Sequence, residues 1–140
     1  MGHQDILRRA SFAHVCGDSI IAAIAGLALY ASFPPVGWWW LSVPALALFV
    51  SRIDEARAPR ALTVTFVFGM SFWVPLIDWI PLAVGTTPPW FVLALVQTFF
   101  FVGWVIFARW TQLWRWARGP LVQAFLFALT WAGVDAARSR

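Results

Sequence analysis

Charged residues are scarce in this sequence, and two polar residue types are missing from it. Its 140 residues include no lysine and no asparagine, and charged residues make up only 11% of the chain. Hydrophobic residues make up 61%, whereas a soluble globular domain is about 45–50% apolar and roughly 25% charged. A soluble domain of this length would have too little polar surface to cover itself. The composition therefore argues against that class and predicts a protein that lies mostly in lipid.

Cysteine and histidine are also rare, which limits the chemistry available to the chain. Cys16 is the single cysteine, so neither an intrachain disulfide nor a thiolate zinc cluster can form. It has no lysine and no predicted base beside it that could generate the reactive thiolate. His3 and His14 have no companion ligands, and no two carboxylates share a hydrophobic segment. We therefore predict no catalytic residue, no metal site and no cofactor in these residues.

The basic residues are all arginine, and the formal net charge of the chain is +4. An excess of this kind can indicate nucleic-acid binding. Here, however, the arginines stand in short clusters between hydrophobic runs, a pattern that the positive-inside rule describes for membrane proteins. We therefore predict a membrane protein with no nucleic-acid partner.

Hydrophobic segments of helical length follow one another along the chain. They predict helices at about 16–33, 37–50, 62–80, 90–108 and 121–137. Strands of a membrane barrel would alternate apolar and polar residues, and residues 91–96 do not alternate. The predicted fold class is all-α, a polytopic transmembrane helix bundle of about five helices. Residues 1–15 would form a cytoplasmic N-terminus, 16–137 the membrane domain, and 138–140 the start of an extracytoplasmic segment.

The connections between the segments differ in charge, and this difference predicts the orientation of the chain. Arginines occupy 8–9, 52–60 and 109–118, whereas the connections at 34–36 and 82–89 contain none. By the positive-inside rule, the N-terminus is then cytoplasmic and the arginine-free connections are extracytoplasmic. Each arginine-free connection contains a proline pair followed by tryptophan, the residue that favours the headgroup level of a bilayer. We interpret these tryptophans as membrane anchors, with contact to a lipid substrate as the less favoured alternative.

Three acidic residues, Asp18, Asp78 and Asp135, lie at or inside hydrophobic segments. An ionisable group in such a place is costly, so it usually faces a partner or a wet cavity. Arg138 follows Asp135 by three residues, which places both on one helix face and predicts a bracing ion pair. The candidates for structural or lipid-facing sites are Asp78, Trp79, Asp135 and Arg138.

The order of several short stretches resembles the opening of apolipoprotein N-acyltransferases. The run 29–41, with its Phe-Pro-Pro-Val-Gly-Trp sequence, is similar to the turn between the first two helices of that family. Residues 69–73 followed by 77–80 resemble the end of its third helix, with Asp78 where the family often has asparagine. Residues 129–140 look like its Trp-x-x-x-Glu-x-x-Arg segment, with Asp135 in place of the glutamate.

This resemblance implies the first five of eight membrane helices of an enzyme of the bacterial plasma (inner) membrane. Enzymes of the family transfer a fatty acyl chain from phospholipid to the N-terminal diacylglyceryl-cysteine of lipoproteins. They do so through a thioester on a nitrilase-like domain with a Glu-Lys-Cys triad. These 140 residues contain no such domain, and Cys16 does not match the nucleophile's position. The chain is therefore expected to be a catalytically incomplete fragment, with phospholipid and lipoprotein as partners through the missing domain.

The alternative interpretation is a complete small membrane protein that acts in transport or scaffolding without chemistry. Transporters often contain internal repeats and helices that are broken near the middle of the membrane. Pro44 and Pro75 could mark such breaks, but no repeat accompanies them.

Overall fold

A computed structural model describes residues 3–110 of the chain, and the side chains of residues 15–107 and 109. All regular structure among these residues is helical, which confirms the all-α prediction for this part of the chain. The α-helices are α1 (His3–Ala31), α2 (Ser42–Glu55), α3 (Ala58–Leu76), α4 (Ile80–Val84) and α5 (Pro88–Trp110), and a short 3-10 helix, Trp39–Leu41, precedes α2. The predicted helix at 121–137 lies outside the described residues, as do Asp135 and Arg138.

The observed helix bounds differ from the predicted ones where local backbone chemistry outweighs hydrophobicity. Helix α1 begins at His3 rather than near residue 16, because hydrophobicity marks only its apolar part and nothing between 3 and 15 interrupts it. Helix α2 begins at Ser42 rather than at residue 37. Gly37 has a φ of +72°, a left-handed conformation that favours glycine and keeps the preceding segment in turns.

Prolines lie mainly in first helical turns, where a missing backbone N–H leaves no hydrogen bond unmade. Pro44 occupies this position in α2, so it does not break that helix. Pro75 lies next to the last residue of α3, and a turn at 77–79 separates α3 from the short helix α4. The helix predicted at 62–80 therefore ends four residues early, at Leu76, and Ile80 already belongs to α4. The connection predicted at 82–89 begins inside α4.

Residues 1–105 form one compact unit, in which apolar side chains at helical spacing line the helix contacts. The buried residues include Ala22, Ala25, Leu29, Ala45, Phe49, Ile53, Val64, Phe68, Phe72, Ala94, Phe101 and Val105. Aromatic rings connect the helices: the ring centroids of Phe49 and Phe68 are 4.0 Å apart, and those of Phe72 and Phe101 are 6.2 Å apart. A second unit begins at Ile106, and its described residues 106–110 complete α5.

Two glycines allow the helices of this unit to approach closely. A Cβ atom added at Gly26 in α1 would lie 2.5 Å from the carbonyl oxygen of Phe68 in α3. A Cβ atom added at Gly69 in α3 would lie 2.8 Å from the Cγ2 atom of Thr98 in α5. Small residues at crossing points are the usual means by which helices pack backbone to backbone in membranes.

One helix of the described part of the chain is long and apolar enough to cross a bilayer, at Pro88–Phe107 in α5. A shorter apolar helix, Val15–Ala31, lies in α1. Large apolar side chains are exposed along both, including Ile20, Ile24, Phe91 and Phe99. Exposed apolar surface of this extent is uncommon on monomeric soluble proteins.

Candidate functional site

An ion cluster joins three helices at one end of the unit. Asp18 in α1 accepts a hydrogen bond at Oδ2 from Nε of Arg60, and Nη2 of Arg60 forms an ion pair with the same oxygen. Arg52 in α2 approaches the other carboxylate oxygen, with its Nη1 atom 4.0 Å from Oδ1. The three residues are named the Asp18 cluster below. They connect the middle of α1 to the end of α2 and the start of α3.

The Asp18 cluster is partly buried and unequal in charge. The Asp18 side chain is 8% exposed, whereas the side chains of Arg52 and Arg60 are 33% and 32% exposed. One carboxylate therefore faces two guanidinium groups, and one positive charge is left over. The Nε atom of Arg52 is buried and has no hydrogen-bond partner in the part of the chain that the structure describes. The cluster thus has donor capacity beyond what Asp18 uses.

The sequence predicted the role of one of the three residues of this cluster. The expectation that Asp18 faces a partner is confirmed. Arg52 and Arg60 were interpreted as loop residues that set orientation, but they lie in the last turn of α2 and the first turn of α3. The sequence did contain a signal for these partners. If consecutive helices run antiparallel, the connection between α2 and α3 lies at the same end of the bundle as the start of the apolar part of α1, which brings Arg52 and Arg60 near Asp18.

The opposite end of the unit is uncharged except for Asp78, and it is rich in exposed tryptophan. Trp38, Trp39 and Trp40 are 55%, 75% and 56% exposed. Backbone hydrogen bonds hold this segment in place: the N–H of Trp38 donates to the carbonyl oxygen of Ala31 at 2.9 Å. The tryptophans are thus presented outward from a fixed turn. This placement fits an interface between an apolar and an aqueous phase.

Asp78 and Trp79 occupy the turn between α3 and α4 and are both exposed. Asp78 makes no ion pair among the described residues, and the expectation that it faces a partner or a wet cavity stays a prediction. Trp79 is 58% exposed, and Leu82 in the neighbouring helix α4 is 89% exposed. The structure thus adds α4 to the apolar surface at this end, where the sequence predicted only a connection.

Trp90 has a different role from the exposed tryptophans, because it caps a helix end. Its indole Nε1 donates a hydrogen bond of 3.0 Å to the carbonyl oxygen of Val74, in the last turn of α3. Carbonyl groups in a last helical turn have no partner within their own helix. Trp90 also packs against the buried residues Ile77, Ile80 and Ala94. It therefore attaches the start of α5 to the end of α3.

We expect Trp90→Phe to destabilise the chain by about 1 kcal/mol, because the ring contact is largely kept while the Val74 carbonyl loses its donor. The measurement is the free energy of unfolding of the detergent-solubilised chain. Trp39→Phe is the matched control, since Trp39 is 75% exposed and its side chain should contribute little. Equal losses in both variants would contradict the capping role.

No three histidine, cysteine, aspartate or glutamate side chains are close enough to hold a metal ion within the residues that the structure describes. Cys16 is exposed on α1. The described residues thus present a charged cluster at one end, a tryptophan-rich surface at the other, and an apolar body between them.

The amino-acid sequence of this chain matches a known protein family. Residues 25–139 match the family model described as the apolipoprotein N-acyltransferase N-terminal domain. This match extends over most of the 140 residues, so the chain belongs to that family, and the resemblance seen in the sequence is confirmed.

One relative is the apolipoprotein N-acyltransferase of Mycolicibacterium smegmatis (strain ATCC 700084 / mc(2)155). The two sequences are 38% identical over 87 residues, which cover 61% of this chain and 14% of the relative. The matched part thus spans about one seventh of the relative's length. No solved structure gives a significant match.

Proposed function

We propose that this chain is the multi-pass membrane part of an apolipoprotein N-acyltransferase in a bacterial plasma membrane. The reaction is the transfer of a fatty acyl chain from phospholipid to the N-terminal diacylglyceryl-cysteine of lipoproteins. The observation that carries the proposal is the family match over residues 25–139. In this proposal the chain positions the enzyme in the membrane, and the catalytic groups are supplied by a nitrilase-like domain that these 140 residues do not include.

The lengths of the helices support more than one crossing. The apolar stretch Pro88–Phe107 has 20 residues, which at 1.5 Å per residue gives about 30 Å, the thickness of a bilayer core. From Asp18 to Ala31, α1 spans roughly 20 Å, and from Arg60 to Leu76, α3 spans about 24 Å. These shorter lengths suit a crossing in which the bilayer thins and the arginines extend toward the headgroups.

The orientation can be tested by labelling single cysteines in a Cys16→Ser background. We expect Thr86→Cys to react with a membrane-impermeant thiol reagent added outside intact cells, and Arg57→Cys to react only after permeabilisation. The physical reason is the positive-inside rule, since Arg57 lies among arginines and Thr86 lies in an arginine-free connection. The pair is matched, because both residues are exposed beside a helix start. Labelling of Arg57→Cys from outside would overturn the orientation.

The enzymatic role is tested in the organism that carries the gene. Deletion of the whole gene is expected to leave lipoproteins without their N-linked acyl chain, as measured by mass spectrometry of N-terminal lipopeptides. Restoring the gene is expected to restore the acylated form. Unchanged acylation after deletion would contradict the proposal and favour the alternative, a small membrane protein in transport or scaffolding.

A further inference from the structure

The Asp18 cluster contains more positive charge than its own residues neutralise. Arg60 donates a hydrogen bond to the Oδ2 atom of Asp18. The Nη1 atom of Arg52 lies 4.0 Å from Oδ1, which is too far for a hydrogen bond. The Nε atom of Arg52 is buried and has no hydrogen-bond acceptor among the described residues. A buried donor without an acceptor is unfavourable, and two guanidinium groups beside one carboxylate repel each other. The two guanidinium groups therefore have positive charge and hydrogen-bond donors that Asp18 alone does not use.

We propose that Arg52 and Arg60 bind the phosphate group of an anionic phospholipid at the arginine-rich end of the bundle. This inference rests on the proposed membrane function. A phosphodiester carries one negative charge, which matches the charge left over in the cluster. The planar fork of donors on a guanidinium group suits phosphate oxygens, which it can bind in a bidentate manner. Both side chains are about one third exposed, so such a group can reach them.

The position of the cluster favours a lipid over a soluble phosphate. No charged residue occurs in 19–51 or in 61–77, so the cluster stands where long uncharged stretches begin on all three helices. The uncharged parts of α1 and α3 are roughly 20–24 Å long, shorter than a bilayer core of about 30 Å. In a bilayer that thins around them, headgroup phosphates come to the depth of the cluster. Basic pockets between helices on the cytoplasmic side are known binding sites for anionic headgroups.

The test is lipid binding to the whole chain, purified in detergent and observed by native mass spectrometry. Phosphatidylglycerol and phosphatidylcholine of equal chain length are the two probes. The wild-type chain is expected to retain one phosphatidylglycerol molecule in preference to phosphatidylcholine. Arg52→Gln is expected to weaken that binding about tenfold or more, the loss of a hydrogen bond between a charged donor and the phosphate. Arg52 donates no hydrogen bond to Asp18, so this variant should keep the fold, and its melting temperature verifies this.

Arg57→Gln is the matched control. Arg57 lies between Arg52 and Arg60 in the sequence, and its side chain is exposed and forms no ion pair among the described residues. The substitution removes the same charge, and binding should change less than twofold. Equal weakening by Arg57→Gln would show a diffuse charge effect and overturn the site. Displacement of the lipid by millimolar inorganic phosphate would overturn the lipid assignment. A chain that folds but shows no preference for phosphatidylglycerol contradicts this inference alone, because lipoprotein acylation and cysteine labelling test the proposed function separately.

Discussion

Gly26→Ala is expected to destabilise the chain by about 2–3 kcal/mol, at the upper end of the range for overpacking substitutions. The added methyl group would lie 2.5 Å from the carbonyl oxygen of Phe68, 2.9 Å from Cβ of Ser71 and 3.2 Å from the backbone nitrogen of Phe72. Two of these atoms belong to the backbone of α3, which cannot move aside as a flexible side chain could. The substitution therefore forces α1 and α3 apart, and the surrounding core loses contacts along both helices.

Gly17→Ala is the matched control, because it is the same substitution in the same helix. Among the described residues, no atom outside the backbone of α1 itself lies within 4 Å of a Cβ at Gly17. Alanine is favoured over glycine in a helix interior by up to about 1 kcal/mol, so this variant should be as stable as the wild type or more stable. The measurement is the free energy of unfolding in detergent for the three proteins. Opposite signs for the two variants are the expected result, and a neutral Gly26→Ala would contradict the close crossing of α1 and α3.

Gly26 also shows what the sequence could not provide. Hydrophobic runs of helical length predicted the long helices of the described part of the chain and their order, but not the short helix α4. Such runs contain no distances between helices, and Gly26 was not singled out among the glycines of the sequence. A close crossing depends on the crossing angle and on the register of two helices, which arise only from packing of the whole unit.

The candidate site was predictable to a similar degree. The cost of a buried carboxylate predicted correctly that Asp18 has a partner, because that argument depends on energy rather than geometry. For Asp78 the same argument stays a prediction, because α3 ends after Pro75 and the residue lies in an exposed turn with no ion pair among the described residues. The identity of Asp18's partners required knowing that Arg52 and Arg60 lie within helices, whereas the predicted helices ended at residue 50 and began at residue 62, two residues short of each arginine.

Arg60→Gln is expected to cost about 2–3 kcal/mol of stability, because it leaves the 8% exposed Asp18 carboxylate without its hydrogen-bonded partner. This loss of stability is smaller than the loss expected for a fully buried ion pair, because the Arg60 side chain is 32% exposed and solvent screens part of the interaction. Arg52→Gln should cost less, about 1 kcal/mol or under, because Arg52 makes no hydrogen bond to Asp18. Asp78→Asn, a change at an exposed carboxylate, should stay within about 0.5 kcal/mol and serves as the control.

A double-mutant cycle separates the pair from the two single effects. Asp18→Asn alone should also destabilise, because it leaves two guanidinium groups facing each other without a carboxylate between them. When Asp18→Asn and Arg60→Gln are combined, neither an unpaired buried carboxylate nor that close pair of like charges remains. The combined loss should therefore be smaller than the sum of the single losses by at least about 1 kcal/mol, as expected for residues in direct contact. Thermal and denaturant unfolding of all four proteins in the same detergent gives the coupling energy. Additive losses would mean that Asp18 and Arg60 act independently, and the ion pair would then contribute nothing to holding α1 against α3.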